Sequence, residues 1–134
     1  MSESSVLMQY VVFQRNQEPT GFRILPDGKV QRCVNNGLPS ATERLDMDKD
    51  LTWQDESNLS EIHLATVQDA IRASGIFEME PRLLINYCKD DPGTGIWTVN
   101  LDDQSARVVV FDPRPKRNAA LDVLLQTVNA VMVP

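Results

Sequence analysis

The chain has 134 residues, with 13 Lys and Arg against 19 Asp and Glu, for a formal charge of −6. That length suits one domain with a core of its own, and 42% apolar with 24% charged residues excludes a collagen-like or disordered composition. No apolar run approaches the roughly 18 residues that suggest a membrane span, and the acidic balance argues against nucleic acid, whose binding rests on Lys and Arg neutralising phosphates.

The opening Met1-Ser2-Glu3-Ser4-Ser5 lacks the basic residues and the small-residue cleavage site of a signal peptide, which predicts a cytoplasmic protein. Residues 6–13 are rich in β-branched and aromatic side chains and almost continuously apolar, so they read as a buried strand. After Pro19, Gly21-Phe22-Arg23-Ile24-Leu25 begins a second strand, with Phe22 and Ile24 on one face by period-two spacing. Pro26-Asp27-Gly28 is the strongest local signal: Pro presets the turn, and Asp-Gly tolerates positive φ. Residues 29–34 return as a third strand. The segment 35–55 is polar and turn-rich and reads as a long loop, with a short extended piece near Leu51-Thr52-Trp53.

A helix follows. Asn58 is its expected cap, with Glu61 as capping-box partner; Leu64, Val67, Ala70 and Ile71 form its apolar side, and Gly75 stops it. Ile76, Phe77 and Met79 then return to the core. Residues 82–88, 94–101 and 106–111 read as three further strands, joined by turns at 89–93 and 102–104. A final helix is expected after an Asn118 cap, with Leu121, Leu124, Leu125, Val128 and Met132 as its stripe. The order βββ-α-βββ-α predicts an α+β fold, an antiparallel sheet or sheets with two helices, since the turns are too short for parallel crossovers. Thr20-Gly21-Phe22 and Thr94-Gly95-Ile96 open corresponding strands, which allows a duplicated β3α unit with halves 6–77 and 82–133 inside one domain, 1–134. The expected core is Phe22, Ile24, Leu84, Ile85, Trp97, Val99, Val109, Leu121, Leu124, Leu125 and Val128.

Few residues form a chemical pattern. Asp46, Asp48 and Asp50 alternate like the first ligands of a calcium loop, but Leu51 and Ser57 stand where that loop needs Gly and Glu. His63 is the lone histidine and has no zinc-ligand spacing around it. A Cys88–His63 nucleophile pair is formally possible, but the strand holding Cys88 reads as buried, where a thiol is inert. Cys33 and Cys88 read as packed thiols; a bridge between them needs Cα atoms within about 7 Å. Gly93-Thr94-Gly95 lacks the following helix of a phosphate cradle. The acid pairs Asp90-Asp91 and Asp102-Asp103 sit at turns, pointing to opposite faces, and keep those turns solvated. No cofactor, metal site or catalytic set is implied.

Two features suit binding. Arg107, Arg114, Lys116 and Arg117 are the one basic concentration, suited to an acidic partner or a phosphate or else plain surface. Trp53, in a polar segment, is either a binding anchor or a pin holding the loop to the sheet. The helix ending in Gly75-Ile76-Phe77, the sheet after it and the terminal apolar helix loosely resemble small proteinaceous protease inhibitors of the emfourin type. The resemblance covers only the helix onward, lacks the glycine-rich N-terminal stretch of those proteins, and transfers no residue role. The favoured expectation is a non-catalytic domain for protein binding or assembly. Val123, Ala130, Val131 and Val133 widen the last helix's apolar side, which suits cover by a second sheet of the same chain or by a second copy in a homodimer. An enzyme inhibitor presenting 35–55, and a small-ligand protein or enzyme using His63, Tyr87, Cys88 and Arg107, are the alternatives.

Overall fold

The computed structural model describes residues 6–13, 19–34, 51–79, 82–84, 93–111 and 119–132. Its strands are β1 (Met8–Phe13), β2 (Thr20–Ile24), β3 (Lys29–Cys33), β4 (Trp53–Asn58), β5 (Arg82–Leu84), β6 (Thr94–Leu101) and β7 (Gln104–Phe111). The helices are α1 (Glu61–Ser74) and α2 (Ala119–Met132), and a single 3-10 turn, Ile76–Glu78, follows α1. The fold is α+β, built on one sheet with the strand order β4-β3-β2-β1-β6-β7-β5. β1 is the central strand and pairs antiparallel with β2 on one side and β6 on the other, so strands from both halves of the chain share the sheet. That position explains its apolar sequence: a central strand is covered on both faces, and Met8 and Val11, of opposite parity, are both fully buried.

Three expectations are corrected in detail. The segment before α1 is not all loop, because β4 adds a seventh strand against β3. Asn58 closes β4 opposite Lys29 and does not cap α1; Ser60 does, its Oγ accepting the His63 N–H at 3.1 Å. β5 runs parallel to β7, not antiparallel. No crossover between adjacent strands is needed for this. β7 inserts between β5 and β6, and being antiparallel to β6 it runs with β5. Apart from the added β4, the two halves share an element order but not a strand order: the first is a meander, while in the second β5 lies outside the β6–β7 hairpin.

Both helices cover one face. Met8, Tyr10, Phe22, Ile24, Val30, Trp97, Val99, Val108 and Val110 point toward Val67 and Ile71 of α1 and Leu121, Leu124 and Val128 of α2. Phe22, Ile24, Trp97, Val99, Val109, Leu121, Leu124 and Val128 are buried as expected, and Leu125 packs partly buried at the margin. Val109 belongs to the opposite face, and the Leu84 side chain and Ile85 lie outside the described residues. Trp97 stacks on Tyr10 with ring centroids 4.3 Å apart. Burial, with the Asp122 charge second, pushes the Tyr10 hydroxyl up to about 12.

The Pro26-Asp27-Gly28 turn forms as expected. Gly28 has φ 98°, Asp27 Oδ1 accepts the Lys29 N–H at 3.0 Å, and Gly28 O accepts the Leu59 N–H at 2.9 Å, tying the hairpin to the start of α1. Gly75 ends α1 in the left-handed region at φ 72°. The β6–β7 turn uses Asp102 and Asp103 at φ 55° and 63°. Its first acid is more than a solvated surface group: Arg72 of α1 donates to both Asp102 oxygens, at 2.8 and 3.2 Å, and holds that carboxyl below its usual range. Among the described residues, no helix is long and apolar enough to cross a membrane.

Candidate functional site

The sheet face away from the helices carries two adjacent rows of side chains. Residues directly opposite in antiparallel strands share a face. Asp55, Gln31, Arg23, Gln9, Thr98 and Arg107 are successive cross-strand partners over six strands, from β4 to β7. They form one polar row across the sheet. Beside it lie Val11, Phe13, Ile96 and Val109, all buried, with Leu51 and Trp53 packed against them.

One end of the polar row is fully wired. Arg23 Nε donates to Gln31 Oε1 at 2.6 Å, and Gln31 Nε2 donates to Asp55 Oδ1 at 2.7 Å. Lys29 Nζ lies 3.6 Å from Asp55 Oδ2. The Gln31 hydrogen bond, followed by the Lys29 charge, holds the Asp55 carboxyl below its ordinary range. Burial lowers the Arg23 pKa against the opposing pull of Asp55, but a guanidinium keeps its proton in a protein. The Arg23 guanidinium also sits over the Trp53 ring, 4.5 Å from the centroid, in cation–π geometry. Trp53 is half-buried. It is both a contact of the small apolar cluster and the base on which Arg23 rests.

A bulge sets this arrangement. The β3–β4 register shifts between Val30 and Gln31, so Val30 faces Ser57 and Gln31 faces Asp55. Glu56 is the extra residue, and its carboxylate takes three hydrogen bonds from Arg32, the shortest 3.0 Å. Trp53 and Asp55 thereby share a face with Cys33 and Gln31. β4 is also the sheet's edge, and a bulge with Asp55 and Glu56 on it opposes edge-to-edge pairing between copies.

The middle of the row is different. Gln9 is 7% exposed, and its side-chain amide has no hydrogen-bond partner among the described residues. Its row neighbour Thr98 is half-buried, and its hydroxyl likewise has no partner among them. Nη1 and Nη2 of Arg23 are in the same position. Buried polar side chains are ordinarily paired, so the unpaired Gln9 amide is unusual, while the half-buried Arg23 and Thr98 keep access to solvent.

No protein-family model matches this chain, and no curated protein matches its sequence.

The expected binding residues separate. Trp53 is on β4 and Arg107 on β7, at opposite ends of the face, with Arg107 half-buried and already engaged. Arg114, Lys116 and Arg117 lie outside the described residues, as do Asp46, Asp48, Asp50, Tyr87 and Cys88. Cys33 is buried, its Sγ 3.3 Å from the Pro19 carbonyl oxygen, to which it donates. His63 is exposed in the first turn of α1. Among the described residues, no three His, Cys, Asp or Glu side chains gather as metal ligands would. Sequence reasoning missed Arg23, Gln31 and Gln9. The signal for Arg23 was available: it alternates with Phe22 and Ile24, so it had to take the other face. Gln9 was the one uncharged polar residue inside an apolar run.

The helix layer has its own exposed feature. A groove of about 550 Å³ runs between α1 and α2, lined by Ala70, Ala73, Ala120, Val123 and Thr127 among others. Val123 and Ile62 are large apolar side chains left 61% and 77% exposed.

Proposed function

We propose that the protein is a non-catalytic binding domain that engages a protein partner around Trp53 and Arg23. The observation that carries this reading is the stacked pair itself. A half-buried Trp supports a guanidinium with two unspent nitrogens at the edge of the sheet. Tryptophan and arginine are the side chains most enriched at interface hot spots, and a guanidinium held flat on a ring loses less freedom on binding than a mobile one. A photo-crosslinking residue at Lys29, whose side chain shares the sheet face of Gln31 and reaches Asp55 in a partly exposed ion pair, tests the reading in cells making the protein. The expected result is one dominant cross-linked protein, lost when Trp53→Ala is added while the melting temperature stays within a few degrees. No cross-link, or one indifferent to Trp53, overturns it.

A second reading is favoured by a separate observation. Val123 projects from α2 beside the helix groove, which suits pairing of two copies through that helix. Native mass spectrometry tests it. A dimer that Val123→Glu converts to monomer supports the reading, and a wild-type monomer at micromolar concentration removes it.

A further inference from the structure

The unspent groups in the polar row identify what the binding face accepts. We propose that Arg23, Gln9 and Thr98 form a carboxylate-binding site, filled by an Asp or Glu side chain of the partner; this rests on the protein-binding reading above.

The three residues sit on adjacent strands in register, Arg23 on β2, Gln9 on β1 and Thr98 on β6. Adjacent strands are about 4.8 Å apart, so a group lying over Gln9 is within reach of both neighbours. The open positions are donors or can act as donors, with Gln9 Oε1 the one exception: the paired Nη groups of Arg23, the amide nitrogen of Gln9 and the hydroxyl of Thr98. Gln31 fixes Arg23 through Nε and Trp53 holds its plane, which leaves the Nη edge as the open side. An Arg edge takes a planar carboxylate bidentately. Gln9 adds the independent indication. An amide that is 7% exposed and unpaired costs stability in the free protein, and an incoming oxygen relieves the donor part of that cost.

Charge narrows the choice of ligand. One guanidinium is on offer, and Asp55 stands two positions along the same row in a chain of net charge −6. A singly charged carboxylate suits that field, while a phosphate dianion meets repulsion from Asp55. The approach is also tight. Gln9 is nearly covered, which admits a flat two-oxygen group on a slender stem more readily than a tetrahedral one.

The test uses the full-length protein labelled with nitrogen-15 and titrated with sodium acetate, acetamide and inorganic phosphate. Acetate is expected to shift the Gln9 side-chain amide and Arg23 Nε–H signals saturably, with acetamide inert and phosphate weaker. Gln9→Met and Arg23→Lys are each expected to weaken acetate binding by about tenfold or more. Arg23→Lys keeps the charge, so its loss would belong to the fork and not to the field. Absence of a saturable shift at these two residues, or shifts unchanged in both variants, overturns the site. The Lys29 cross-link separates the two levels. A cross-link that needs Trp53 but ignores Gln9→Met and Arg23→Lys leaves the protein-binding reading standing and overturns the carboxylate site. Acetate binding without any cross-linked protein upholds the site and shifts its ligand to a free small acid.

Discussion

The two faces of the sheet solve the burial problem differently. The helix-covered face is apolar throughout its centre: Tyr10, Trp97, Phe22, Ile24 and Val99 meet Ile71, Leu124 and Val128. The other face has a small apolar cluster, and both buried polar residues among those described, Gln9 and Thr94, lie there. One face thus carries the stability expected of a close-packed interior. The other retains polar groups that folding alone gives no reason to keep. Where a fold holds unpaired polar atoms against its own stability, recognition is the natural reason to look for.

That contrast can be broken by mutation. Leu124→Ala on the helix face is expected to cost about 2–5 kcal/mol, because a fully packed leucine leaves a cavity; chemical denaturation measures it, and a cost under half a kcal/mol would contradict the placement of α2. Gly28→Val is expected to cost about 1–3 kcal/mol. It puts a β-branched residue at φ 98°, with a Cβ 3.1 Å from the Leu59 carbonyl oxygen, and so loosens the link between hairpin and α1. Unchanged stability would mean the turn relaxes freely. Trp53→Ala should cost only about 1–2 kcal/mol, since the ring is half-buried and its cation–π partner is partly solvated. A loss as large as that of Leu124→Ala would make Trp53 a pin and remove the contrast between the faces.

Gln9→Met sharpens the comparison further, because it should stabilise the protein, by about 1 kcal/mol, through removal of an unsatisfied buried amide at nearly constant shape. Destabilisation would show that the amide does structural work. The smallest effect is one of pH. Tyr10 titrates at about 12 in the fold against an ordinary value near 10. Its folded pKa is raised, so its contribution is complete below pH 10 and is lost as pH climbs from about 10 to 12. Tyr10→Phe should flatten stability over that window, and absorbance titration of Tyr87→Phe should show the remaining tyrosine ionising late. Ionisation near 10 would mean that the helix layer opens easily.

Much of the architecture was legible along the chain. Period-two alternation in 22–24, the Pro26-Asp27-Gly28 turn, the stop at Gly75 and the leucine stripe of α2 are local signals, set by backbone sterics and side-chain spacing within a few residues. They suffice to identify the α+β class, six of the seven strands and most of the core. β4 was not legible, because Gln54, Asp55 and Glu56 have little strand propensity. That strand exists through its hydrogen bonds to β3 and the Gln31–Asp55 and Arg32–Glu56 contacts across it. The cap of α1 moved from Asn58 to Ser60 for the same reason, since the ladder claimed Asn58 first.

The candidate site was less legible still. Trp53 stood out as an aromatic in polar company, yet the partner that gives it meaning, Arg23, lies 30 residues earlier in the sequence. Sequence by itself determined which residues are apolar, where the chain turns and which side chains alternate, because each depends on neighbours a few bonds away. Only the tertiary structure decided that Asp55, Gln31, Arg23, Gln9, Thr98 and Arg107 stand in one line. Strand order and register are long-range choices, fixed by which faces can be buried together and by a one-residue bulge that no local pattern announces.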